Sequence, residues 1–215
     1  MFFSNKIFNF LGDSITEGVG VSAPEKSFVN VFFQKYSPAA VRNYGIGGSR
    51  FAKQHNPDEG FPPHERYFCS RVEEMDPNAD VIVVFGGIND YTHGDAPFGR
   101  FEDRTPDTFC GACHVLMKSL IDRYPLATIV FMTPLHSVVN TRNKIGTPTP
   151  LIEYVRTIRS IAEEYSIPVL DLYATIGIQP EIEIQRQLYM PDGLHPNDAG
   201  AERIADRLAA FLGTL

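Results

Sequence analysis

"ADVIVVFGGIND", residues 79–90, sets five apolar side chains in a row before two glycines and an Ile-Asn-Asp step. A strand with one face in water alternates apolar and polar residues. This run does not alternate, so it reads as a strand covered on both faces. Strands covered on both faces belong to parallel sheets, because each crossover lays a helix over one side or the other. Working outward, near-continuous apolar runs recur at 7–11, 41–44, 129–132 and 169–172, and helical spacing fills 25–36, 64–75, 106–123, 150–165 and 197–212. Strand alternating with helix predicts a three-layer α/β/α sandwich on a five-stranded parallel sheet, of the flavodoxin-like kind. Start and stop signals agree: Pro150 opens one helix and Pro168 follows its end, while Asn197 caps the last helix and Gly213 stops it. No repeat, low-complexity tract or linker interrupts the pattern, so one domain over residues 1–215 is expected.

Composition narrows the function. With 215 residues, 43% of them hydrophobic, the chain can bury one sizeable core. Its net charge is −7 and its Lys and Arg residues are scattered, which lacks the basic stripe of a nucleic-acid binder. No apolar stretch approaches the roughly 18 residues of a membrane span. The opening "MFFSNKIFNF" is broken by Ser4-Asn5-Lys6 and Asn9, and removing a leader of ordinary length would also remove Ser14, so a cytoplasmic location is expected. Three cysteines, an odd number, do not make a disulfide framework. Cys110-Gly111-Ala112-Cys113-His114 spells a c-type haem attachment motif, but it lies within helical apolar spacing and reads as two small buried residues of a helix; Cys69 has no assigned role. His55, His64, His93, His114 and His136 show no metal-ligand spacing, and Gly45-Ile46-Gly47-Gly48 lacks the rest of a dinucleotide fingerprint. No metal or cofactor is expected.

In an open parallel sheet, ligands bind beyond the carboxyl ends of the strands. Gly12-Asp13-Ser14 follows the first strand, Gly45-Ile46-Gly47-Gly48-Ser49 the second and Gly86-Gly87-Ile88-Asn89-Asp90 the third. Asp192-Gly193-Leu194-His195 comes after the fifth. Singly, each has a plain structural alternative: Ser14 as a helix cap, Asn89 as a turn residue, Asp192-Gly193 as a turn and His195-Pro196 as a helix entrance. Together they supply every role of an acyl-transfer site at one sheet edge.

The blocks "GDSITEG", "NYGIGG", "GGIND" and "DGLHPNDAG", in this order along nearly the whole chain, resemble the SGNH hydrolases, the GDSL-like lipase and acylhydrolase superfamily. The third block departs slightly, with Ile88 where many members carry threonine. The resemblance implies Ser14 as nucleophile, His195 as general base and then acid, Asp192 as the group orienting the imidazole, and an oxyanion hole from the amides of Ser14 and Gly48 with the side chain of Asn89. Gly47 is the alternative to Gly48. A weak hydroxyl needs an adjacent base, the base needs its second nitrogen held, and the oxyanion needs fixed donors. Asp13, Tyr91 and His136 are candidates for substrate contact. The rim residues Tyr91, His93, Arg100, Asn140, Arg142 and Asn143 suit a small acyl ester, an acetyl ester in the simplest case, of a polar alcohol such as a carbohydrate, unless Phe98 and Phe101 fold inward. An acyltransferase, a thioesterase or a lysophospholipase would use the same residues, and a catalytically silent binding module is the alternative of another class.

Overall fold

The computed structural model describes residues 3–56, 66–138 and 149–215. Five parallel strands, β1 (Ile7–Gly12), β2 (Ala40–Gly45), β3 (Val81–Phe85), β4 (Thr128–Met132) and β5 (Val169–Leu170), form one sheet in the order β2-β1-β3-β4-β5. The expected α/β architecture is therefore present. Because the chain leaves β1 for β2 on one side and returns to β3 on the other, the strand order reverses at β1. A crevice opens at such a reversal, at the carboxyl ends of the strands. Register places Gly12 opposite Gly45 and Phe85, so Ser14, the turn after β2 and Asn89 leave the sheet side by side.

The unbroken apolar runs serve two layers at once. In β1, Phe8 and Phe10 point to one side with Phe28 and Phe32 of α2 (Phe28–Tyr36) and with Ile204 and Leu208 of α9 (Asp198–Leu212). Leu11 points to the other side, as do Ile82 and Val84, against Phe68 of α3 (Phe68–Arg71), Leu116 of α5 (Phe109–Arg123) and Ile158 of α6 (Leu151–Glu164). Each large side chain so buried contributes about 1.5–3 kcal/mol relative to exposure.

Element bounds differ from the sequence reading where polar side chains intervene. β5 stops at Leu170 because Asp171 accepts from the amide of Ala174 and starts the short α7 (Leu172–Thr175). The helix expected over 25–36 begins as a 3-10 turn at Pro24–Lys26, and Ser27 then caps α2. The stretch expected over 64–75 is α3 followed by a 3-10 turn at Val72–Glu74, and residues 64 and 65 lie outside those described. Thr108 caps α5, and Asn197 caps α9 as expected. Also present are the short α1 (Ser14–Glu17) and α4 (Ile88–Thr92), and α8 (Glu183–Tyr189), whose seven residues are too few to register a helical period.

Candidate active site

Asp13, not Ser14, caps α1: its Oδ1 accepts from the amide of Ile15 at 3.0 Å. Ser14 therefore takes the first helical position with its hydroxyl uncommitted to the backbone, and Ser14 Oγ lies 3.0 Å from His195 Nε2. His195 reaches it from the far end of the chain, on a turn that one carboxylate organises. Asp192 Oδ1 accepts from the amides of Leu194 at 2.9 Å and His195 at 2.7 Å, and Oδ2 lies 2.7 Å from His195 Nδ1. A carboxylate acceptor at Nδ1 puts the ring proton there and leaves the Nε2 lone pair facing the serine. Burial pulls the Asp192 carboxyl up, but those two amides and the imidazole outweigh it and hold the group below its ordinary value. Gly193 allows the turn, with φ of 78°. Its carbonyl accepts from Ser137 Oγ at 2.9 Å and from the amide of Val138 at 3.0 Å, which pins the turn to the segment after β4.

The turn after β2 separates its two candidate glycines. Ile46 N donates to Gly12 O, Ser49 N donates to Ile46 O, and Gly47 N donates to Glu17 Oε2 at 2.7 Å. Among the described residues the amide of Gly48, at φ 74°, has no acceptor. Asn89 is buried in the first turn of α4 and gives one side-chain N–H to Ser49 O at 3.1 Å, so its second N–H is unspent. The neighbouring Asp90 accepts from the amides of Phe51 and Ala52, each at 2.9 Å. Burial pushes Asp90 up to about 6 and Asp13 up to about 7, against their backbone hydrogen bonds. Arg71, also buried, is pulled down by burial to about 10 and stays charged at neutral pH.

The other expected contacts divide. Asp13 and His136 line a narrow, largely apolar cleft with Ile15, Ile88, Leu135 and Leu194, whose free space of about 10 Å³ is that of about one water molecule. His136 stacks on Tyr173 with ring centroids 3.7 Å apart, and burial lowers its pKa. Tyr91, expected on the rim, is instead buried in the core against Tyr154. Phe98 also turns into the core, onto Phe109 and Tyr154, while Phe101 covers His114 and stays half-exposed. Asn140, Arg142 and Asn143 lie outside the described residues. Cys110 and Cys113 are buried free thiols on α5 and Cys69 is a half-buried one. Among the described residues no group of three His, Cys, Asp or Glu side chains could hold a metal ion, and no helix is long and apolar enough to cross a membrane. Glu17, Ser49, Arg71 and Ser137 had no signal in the sequence, since each holds backbone atoms of another element.

The sequence model of the GDSL-like lipase/acylhydrolase family matches residues 10–203. One solved crystal structure is 34% identical over 99% of this chain and 98% of its own, with a TM-score of 0.87. A Lactobacillus plantarum protein is 28% identical over 98% of both chains, with a TM-score of 0.85. The aryl esterase of M. smegmatis is 18% identical over 98% of this chain and 99% of its own, with a TM-score of 0.70, and shares the fold. No protein of curated function matches at a significant level. With the family's pattern running through all but the ends of the chain, the protein belongs to the GDSL-like lipase/acylhydrolase family and is an ester-bond hydrolase.

Proposed function

We propose that the protein is a serine esterase that hydrolyses a small acyl ester, acetyl above all, of a polar alcohol through an acyl-enzyme on Ser14. The observation that carries this reading is the continuous path from Ser14 Oγ to His195 Nε2 at 3.0 Å and from His195 Nδ1 to Asp192 at 2.7 Å. His195 takes the hydroxyl proton as Ser14 Oγ attacks the ester carbonyl. The tetrahedral oxyanion is received by the amides of Ser14 and Gly48 and by the spare N–H of Asn89. Gly48 is preferred over Gly47 because Glu17 already holds the Gly47 amide. As the C–O bond breaks, His195 returns its proton to the leaving alcohol. Water then attacks the acyl-enzyme and gives a proton to His195, and as the second tetrahedral intermediate breaks its bond to Ser14 Oγ, His195 returns that proton to Oγ and the acid is released. Asp192 stays ionised throughout and holds the tautomer.

The preference for a short acyl group rests on the cleft beside Ser14. Its free space is only about 10 Å³, and Ile15, Ile88, Leu135 and Leu194 around it leave no room for a long acyl chain. Asp13 and His136 are the proposed substrate contacts there, and Tyr91 is not among them. An aryl esterase among the neighbours of like fold makes aryl acetates natural test substrates. With p-nitrophenyl esters from acetyl to octanoyl, kcat/KM is expected to be highest at acetyl and propionyl and to vanish in His195→Ala. A preference for octanoyl would overturn the small-acyl reading, and full transfer of the acetyl group to an added alcohol in place of water would make the protein an acyltransferase.

A further inference from the structure

Arg71, at the end of α3, is buried, with its guanidinium 4.8 Å from the centroid of the Phe68 ring. Its Nη1 donates to Tyr44 O at 2.6 Å, and its Nη2 donates to Gly12 O at 3.1 Å and to Ser49 Oγ at 3.0 Å. Ser49 Oγ in turn donates to Gly12 O at 3.3 Å. These acceptors are not scattered over the core. Gly12 ends β1 two residues before Ser14, Tyr44 stands next to last in β2 just ahead of the turn that carries Gly48, and Ser49 follows Gly48 directly. Ser49 also offers its carbonyl to Asn89 Nδ2. One planar fork therefore holds Ser49, which adjoins Gly48 and accepts from Asn89, together with the end of β1 two residues before Ser14.

Burying a guanidinium is a costly way to hold strands together, and β1 and β2 are already paired in register from Ile7 to Gly12. Its Nε has no acceptor among the described residues, which adds to that cost. What the fork adds is rigidity just past the ladder, where the chain turns away from the sheet. A shift of about 1 Å in such a place is enough to cost a hundredfold in rate.

We infer that Arg71 is a positioning residue of the oxyanion hole, fixing the Gly48 amide and the Asn89 side chain through Ser49 and the ends of β1 and β2. The inference rests on the proposed esterase reading of Ser14, Gly48 and Asn89. It is tested with p-nitrophenyl acetate on Arg71→Met, Arg71→Lys, Ser49→Ala, Asn89→Ala and the pairs that add Asn89→Ala to each. Lysine keeps the charge but not the fork, so both Arg71 variants should lose kcat by about tenfold to a hundredfold with KM held within about twofold. Ser49→Ala should lose less, in the same direction. Asn89→Ala alone should lose about a hundredfold to a thousandfold in kcat. Because Arg71 and Ser49 act in part through Asn89, each pair should lose clearly less than the product of its two single losses. A residue that merely supports the fold would lower the unfolding midpoint and give losses that multiply. Wild-type kcat in the Arg71 variants, or fully multiplying losses, would overturn the inference while the esterase reading stands. A wild-type protein that cleaves no ester would remove that reading and the inference with it. If the Arg71 variants do not fold, Ser49→Ala and its pair decide the matter.

Discussion

Asp13 carries an unusual load for the residue before a nucleophile, since it caps α1 from a fully buried position and shares its surroundings with Asp90 and Arg71. Its carboxyl is pushed by burial from 3.8 to about 7. The folded state thus binds this proton more tightly than the unfolded chain does. The resulting stability is present below about pH 4 and is lost as pH rises through 7. Each tenfold difference in proton affinity between the folded and unfolded chain is worth about 1.4 kcal/mol, so the loss is on the order of a few kcal/mol by pH 8. Asparagine keeps an oxygen for the Ile15 amide and cannot ionise. Asp13→Asn is therefore expected to raise the unfolding midpoint at pH 8 and leave it nearly unchanged at pH 4.5, as thermal melts would show. A midpoint lowered at both pH values would mean that the ionised form is the one the fold uses. At this scale the sequence was readable where a residue acts with its own neighbours, as Asp192 does with His195. Arg71 and Glu17 were not readable, because each meets its partners only after β1 and β2 have paired.

The turn between α8 and α9 is the element on which the reading of His195 depends. It is a glycine-dependent turn, and Gly193 needs its positive φ while leaving no space, since an added Cβ would collide with Val138 Cγ2. Gly193→Ala should cost about 1–2 kcal/mol from the left-handed backbone alone. It should also push the turn off the Ser137 and Val138 clamp, lowering kcat more than tenfold by misplacing the imidazole. An unfolding midpoint and kcat on the same sample check this, and normal kcat with a lowered midpoint would uncouple the clamp from catalysis. Strands and long helices were legible because their apolar periods extend over many residues, whereas α7 and α8 were not. Val169–Leu170 illustrates the limit: the apolar run continues to Leu172, but the Asp171 side chain ends the strand with a cap.

For the molecule as a whole, the strand order assembles the candidate site, because the reversal at β1 sets Ser14, the Gly48 turn and Asn89 at one edge. His195 joins them through the Asp192 turn, which the segment after β4 grips at Gly193. The α/β pattern was visible in the alternation of runs, and the candidate site in four short blocks, but the cleft was not. Tyr91 shows why: a tyrosine after a strand looks like a rim residue until packing against Tyr154 draws it inward. Under the proposed mechanism, Ser14 alone among the serines has both a base and an oxyanion hole. Labelling the active protein with a fluorophosphonate and mapping the modified peptide tests this directly. A single adduct on Ser14, lost in His195→Ala, is the result expected. An adduct on Ser49 or Ser137 instead, or none on protein that still cleaves acetyl esters, would contradict it.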